Sequence, residues 1–239
     1  MRDTRARGFP QNQISTPIDG VVIQLRQLAR SQDRYSALIE AADGRRVRLV
    51  LSDLAVLRIG LRVGTELTPE LASLVAQEAA SVRAFDLAMR ALARRPWARR
   101  ELETMLRKRG AGAGEVGDVM TKLSGAGLLD DASFAAAFVR SRIATRGASV
   151  WLLRRDLARK GVARDVADLA ISAVMADEEI DEDALARREA RKKYRSLARL
   201  EPAVARRRLA AYLQRRGFSA GVVRTVVREL AVSGRSGGA

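Results

Sequence analysis

Carboxylates gather at two places where they could do chemistry. Asp130 and Asp131 stand side by side, and six acids fill the seven positions from Asp177 to Asp183. A carboxylate pair can hold magnesium or share acid–base work. Adjacent helical residues, however, point about 100° apart, and no imidazole or further nearby acid completes a site around 130–131. The pair reads instead as N-cap and first-turn acid of a helix carrying Phe134, where such residues satisfy free backbone N–H groups and oppose the helix dipole. The 177–183 run lacks the glycine turn and ligand spacing of a calcium loop. It reads as a solvated linker and helix start, with Asp183 and Arg187 at i, i+4, a pair worth about 0.2–0.5 kcal/mol. A stretch that folds over basic surface in place of phosphates is the alternative reading of the same pattern.

Other chemistries are closed by composition. The 239 residues include no Cys and no His, which excludes disulfides, thiolate or imidazole zinc sites, Cys nucleophiles and His general bases. Gly110-Ala-Gly112-Ala-Gly114 lacks the Lys-Ser/Thr of a phosphate-binding loop. No nucleophile–base arrangement stands out, so no enzyme, cofactor or metal is expected.

Bases are the larger signal. There are 44 Lys and Arg against 28 Asp and Glu, a net charge of +16. Of these, 11 bases and 9 acids fall in residues 1–82, and 33 bases and 19 acids in 83–239. The second part therefore carries the asymmetry expected of a surface for phosphates or carboxylates, although 39 of the 44 bases are Arg and Arg with Ala also follows genome composition. The clusters are Arg140, Arg142, Arg146; Arg154, Arg155, Arg159, Lys160; Arg187, Arg188, Arg191, Lys192, Lys193; Arg206, Arg207, Arg208; and Arg215, Arg216. Each alone suits a solvated helix face; together they can form a stripe. Trp97 and Trp151 could stack on bases, but with only 4% aromatic residues they read as packing residues.

The elements that must carry these residues divide into two kinds. Val21–Ala29 alternates as a strand with Val21, Ile23 and Leu25 on one face; Tyr35–Ala42 follows, and then Val47, Leu49 and Leu51 alternate with Arg46, Arg48 and Val50. Asp43-Gly44 predicts a two-residue type I′ hairpin turn between the last two. Ser52 is placed to cap a short helix ending before Gly60, and Thr68-Pro69-Glu70 to open another. Beyond Pro69 the pattern is helical throughout.

The helical part repeats itself. Leu102, Leu106 and Gly110 recur as Leu153, Leu157 and Gly161, and again as Leu209, Leu213 and Gly217, the glycines 51 and 56 residues apart. Apolar residues return nine and thirteen positions after each glycine, at Val119 and Leu123, Ala170 and Val174, Val226 and Leu230. Leu at i and i+4 shares a helix face, and Gly entering the left-handed region stops that helix. A further helix precedes each pair, marked by Phe85, Ala88 and Leu92, by Phe134 and Phe138, and by Ala190, Tyr194 and Leu197. The expected fold is mainly α: tandem three-helix repeats, elongated, behind a small α+β unit with a three-stranded sheet. The expected divisions are a flexible tail at 1–13, the α+β unit at 14–81, repeats at 82–130, 131–176 and 177–232, and a second tail at 233–239.

Within this frame Gly127-Leu128-Leu129-Asp130-Asp131-Ala132-Ser133-Phe134-Ala135 resembles a signature of the RecX family, regulators of the RecA recombinase. Phe138-Val139-Arg140-Ser141-Arg142, Gly147, Leu153, Leu157 and Lys160-Gly161-Val162 follow the family's middle repeat. Arg95-Pro96-Trp97-Ala98-Arg99-Arg100-Glu101-Leu102 is similar to the opening of its first repeat, with Ala98 where Ser is usual and a cap hydroxyl lost, and Asp156 stands where Glu is common. Gly60–Leu67 resembles the end of the N-terminal extension of longer members. The resemblance covers about 85–231.

It implies a non-enzymatic modulator of DNA repair and the SOS response that binds the RecA filament on single-stranded DNA and restrains its recombinase and ATPase activity. Direct contact with single- or double-stranded DNA is a further possibility that it carries. The site residues expected on this basis are Arg140, Arg142, Arg146, Arg154, Arg155, Arg159, Lys160, Arg207, Arg208, Arg215 and Arg216. A cytoplasmic monomer without a membrane segment is expected. The competing function class is a helix-turn-helix-like DNA-binding protein, for which only Arg224 and Arg228 in the third repeat, and Lys122 in the first, face the right way.

Overall fold

The computed structural model describes residues 17–29 and 31–233. The ends expected to be mobile, 1–13 and 233–239, lie outside these apart from Ser233. The chain forms two compact units, one of residues up to Arg95 with Leu102–Ala126, the other of Pro96–Glu101 with residues from Gly127 onward.

In the first unit an antiparallel sheet of order β3-β2-β1-β4 is made by β1 (Gly20–Leu28), β2 (Ser31–Ala41), β3 (Arg46–Ser52) and β4 (Glu66–Leu67). Three details differ from the sequence expectation. A bulge between Val22 and Gln24 shifts the side-chain phase, so Val22, not Val21 or Ile23, is the fully buried residue of β1, while Leu25 still packs on the core. The hairpin after β2 is not type I′. Ala41 N–H donates to Arg45 O across a three-residue loop, and positive φ occurs at Gly44 alone, 79°; this is a turn closed by a left-handed glycine. The fourth strand is two residues long and carries no alternation to read.

Ser52 Oγ accepts from Ala55 N–H to open α1 (Asp53–Ile59). α2 (Pro69–Leu92) begins at the Thr68 cap and lays Ala72, Val75 and Ala79 on Val22, Ile39, Leu49 and Leu51 of the sheet. The division expected between 81 and 82 falls inside this helix, because nothing there caps or breaks it. Its later turns bury Val82, Ala84 and Ala88, and α2 packs also on α4 (Ala113–Gly125). α3 (Arg99–Lys108) precedes α4, its first three residues counted with the second unit.

The second unit holds α5 (Asp131–Arg146), α6 (Val150–Arg159) and α7 (Arg164–Asp177), then α8 (Glu182–Arg195), α9 (Pro202–Arg215) and α10 (Ala220–Ser233). The repeated leucines are its physical basis. Leu153, Leu157, Leu209 and Leu213, like Leu102 and Leu106 in α3, are at most 1% exposed. Gly110, Gly161 and Gly217 take φ of 83–87°. Each helix closes with the same two bonds: the glycine N–H reaches back three residues, and the next N–H reaches the second leucine's carbonyl, as in Ala111 to Leu106, Val162 to Leu157 and Phe218 to Leu213. The residue after the glycine then returns its side chain to the core, with Val162 and Phe218 both buried.

Candidate partner-binding surface

The eleven candidate cations all lie in the second unit, and the structure divides them by what they touch. In α5, Arg140 faces Asp177 and Glu178 at 3.5 and 3.4 Å, and the Arg142 guanidinium lies 4.9 Å from the centre of the Phe138 ring. In α6, Arg154 pairs with Asp168 of α7, while Arg155 and Arg159 both reach Asp156. Lys160 is enclosed further. Its ammonium donates to Glu101 Oε1 at 2.9 Å and sits 5.7 Å from the ring centres of both Phe134 and Phe138, so its charge helps hold the fold. Arg216 likewise stands over the Tyr212 ring and 3.7 Å from Glu189.

Arg146, Arg207, Arg208 and Arg215 are exposed and make no ion pair among the described residues. Arg191, Lys192 and Arg195 on α8 share that condition. The middle-repeat stripe is therefore largely offset by local acids, and among the described residues of the second unit the third repeat carries most of the uncompensated charge. Exposed pairs such as Arg154–Asp168 hold their partners weakly, about 0–1 kcal/mol, so a polyanion can still compete for them.

The two carboxylate groups resolve as structural devices. Asp130 Oδ1 accepts from Ala132 N–H at 2.9 Å and its other oxygen from the Ser133 hydroxyl at 2.6 Å; these bonds hold its carboxyl below the usual range. Asp131 does more than the expected first-turn duty. Its Oδ1 accepts the Arg99 N–H at 2.8 Å, supplying at the start of α3 an acceptor for a first-turn donor beside the buried Ala98.

The 177–183 run is not wholly solvated. Asp181 caps α8, and Glu182 Oε1 accepts the Val150 N–H that opens α6. Arg187 hydrogen-bonds Glu229 of α10 at 3.1 Å rather than the expected Asp183. Among the described residues no group of three or more acids is placed to hold a metal ion, and no helix is long and apolar enough to cross a membrane.

Sequence reasoning missed the seam between the second and third repeats. Glu189 is 5% exposed, yet its carboxylate accepts the Tyr212 hydroxyl at 3.0 Å beside Arg216 and Arg188. Arg188 donates in turn to the last-turn carbonyl of Ile143 in α5, and Ser149 N–H donates to Arg216 O. Burial, followed by the bond to Glu189, raises the Tyr212 hydroxyl above its ordinary pKa. A single Glu among the bases that follow Ala184 in α8 gives no periodic signal; only an acid one helical turn after the apolar Ala186 could have marked it.

Trp151 corrects a second expectation. It is 56% exposed, with the Arg155 guanidinium 4.9 Å from its ring, rather than packed in the core. It follows the buried Ser149 cap of α6 by two residues, and that phase points it outward while Leu153 goes in. Trp97 is half-buried. On α10 the exposed residues include Arg224 and Arg228 with Glu229 next to them, a sparse set for reading base edges.

Comparison with known proteins agrees with this geometry. Residues 130–171 match the model of the second three-helix domain of RecX, and residues 181–227 that of the third. A regulatory protein RecX of Amycolatopsis mediterranei is 39% identical over 145 residues, spanning 61% of this chain and 79% of that protein. Its counterpart in Halorhodospira halophila is 40% identical over 146 residues, 61% of this chain and 87% of the relative. A crystal structure of a regulatory protein RecX superposes with a TM-score of 0.63 at 20% identity, covering 87% of this chain and 98% of that one; at that identity the likeness is one of fold.

Proposed function

Because the chain belongs to the RecX family of regulatory proteins, we propose that it binds the RecA filament on single-stranded DNA and restrains its recombinase and ATPase activity, with no catalytic step of its own. The observation that carries this reading is the match to 79% of a regulatory protein RecX at 39% identity, in a chain whose repeats bring cations to the surface. The partner-facing surface is formed by the exposed, uncompensated Arg146, Arg207, Arg208 and Arg215, supported by Arg142 and by Arg140, Arg154, Arg155 and Arg159, whose ion pairs open to solvent. Lys160 and Arg216 serve the fold and shape that surface from behind. Such a surface meets carboxylates of a protein polymer, and phosphates where DNA is reached. The protein acts in the cytoplasm, as a monomer.

The test is ATP turnover by RecA polymerising on single-stranded DNA. Adding the purified protein is expected to lower turnover at or below a one-to-one ratio. Unchanged turnover at stoichiometric excess overturns the reading.

A further inference from the structure

A cleft of about 470 Å³ opens at the seam between the second and third repeats, within the second unit. Trp151 and the edge of the buried Phe218 form its apolar part, and Arg154, Glu182, Gln214 and Ser219 its polar part. From these we infer that the cleft receives one unstacked base of single-stranded nucleic acid, with Trp151 as the stacking platform. This goes beyond the restraint of a recombinase and does not depend on it.

Four observations point to a base. Trp151 keeps 56% of its surface open although it borders a cleft, and an exposed indole is a surface that every base can stack on. The Arg155 guanidinium stands over the ring, 4.9 Å from its centre, and sets a cation beside the indole where a flanking phosphate would lie. The lining carries donors and acceptors together: the Gln214 amide makes no hydrogen bond among the described residues, Ser219 Oγ accepts from Val222 N–H and keeps its own proton to donate, and Glu182 has given only one oxygen to Val150. Those groups match the mixed edge of a base better than the purely apolar knob of a protein side chain. Finally, the surrounding chain is strongly basic, as phosphates on either side of the base require.

Close approach is also built in. Gly217 forms one wall of the cleft, and a methyl group there would fall 2.9 Å from the Trp151 ring and 2.5 Å from Ser149 Oγ. The indole is thus seated against backbone, which limits its rotation and keeps it presented to the cleft.

The experiment needs no recombinase, so its outcome is separate from that of the function proposed above. The wild-type protein is titrated, at low and at physiological salt, with oligothymidylate and with an abasic oligonucleotide of the same phosphate count. Oligothymidylate is expected to bind about tenfold or more tightly than the abasic strand. With Trp97→Phe leaving Trp151 as the sole tryptophan, oligothymidylate should quench its fluorescence to saturation and the abasic strand should not. Trp151→Ala should weaken oligothymidylate binding by about 5- to 150-fold, and Trp151→Phe should restore most of it. Equal affinity for the two strands, no measurable binding of either, or full affinity in Trp151→Ala overturns the proposal.

Discussion

Glu189 of α8 lies so close under Gly147, the left-handed residue that ends α5, that a methyl group on the glycine would fall 2.2 Å from Glu189 Cγ. Gly147 therefore meets two requirements at once, a φ of 54° and a missing side chain. The second repeat can approach the third here only because backbone faces the aliphatic part of a buried acid, whose carboxylate is then free to take the Tyr212 hydroxyl.

Gly147→Ala should accordingly be among the costly substitutions. A left-handed alanine costs about 1–2 kcal/mol, and the overlap adds about 1–3 kcal/mol. Urea unfolding should show a loss of about 2–5 kcal/mol. Gly117→Ala is the control, because Gly117 lies inside α4 with nothing within 4 Å of an added Cβ. That change should stabilise by about 0.5–1 kcal/mol. Equal effects from the two would sever the link between close approach and stability.

Leu157 tests the repeat itself. It is fully buried, and its carbonyl closes the α6 cap by accepting the Val162 N–H. Leu157→Ala should cost about 2–5 kcal/mol through the cavity it leaves, with the backbone bond retained. A change below about 1 kcal/mol would mean the repeated leucines do not form the core of the unit.

The leucine–leucine–glycine spacing could be read from sequence because both of its causes are local: a shared helix face, and a left-handed glycine that turns its own N–H and the next one back onto carbonyls three and five residues earlier. The Asp130 cap was legible for the same reason. What escaped depends on residues far apart in the chain. Lys160 looks like any surface base until Glu101, 59 positions away, is seen to hold it, and Arg154 until Asp168 does. Asp131 could not be assigned to the start of α3 from its own neighbourhood. Val22 took the core place expected of Val21 and Ile23 because a bulge moved the phase of β1 by one residue, and alternation alone carries no mark of where a bulge falls. Trp151 was misplaced for a statistical reason: aromatic residues are usually buried, and nothing within a helical turn says that this one borders a cleft.

The Asp130 cap should be visible in the acid limb of stability. Its hydrogen bonds from Ser133 and Ala132 lower its carboxyl relative to the unfolded chain, where an Asp titrates at about 3.9. The folded state thus prefers the ionised form. The contribution is complete above the unfolded value and is lost as pH falls through the lowered folded one. Asp130→Asn keeps a side-chain oxygen suited to the cap but cannot titrate. The variant should lose less stability between pH 6 and pH 3 than the wild type, measured by thermal unfolding. An unchanged difference between those pH values would remove Asp130 from the acid response.

Two triple variants separate charge that is spent inside the fold from charge that is presented outside it. Arg207→Ala, Arg208→Ala and Arg215→Ala remove cations that pair with no acid among the described residues. On single-stranded DNA each lost phosphate contact should lower the slope of log affinity against log salt by about 0.7, so the triple should lose up to about 2. Arg154→Ala, Arg155→Ala and Arg159→Ala instead remove partners of Asp168 and Asp156, so that Asp156 loses both of its pairs while Asp168 keeps Arg164 at 3.7 Å. Binding should weaken here also, but by less for each charge removed, since part of every guanidinium's field was already cancelled. Helical content should stay intact in both, because none of the six side chains enters the core. Gel-shift titrations and RecA ATP turnover run side by side would check the order. A larger effect from the middle-repeat triple in both assays would return the partner surface to α6 and leave the third repeat with a structural role.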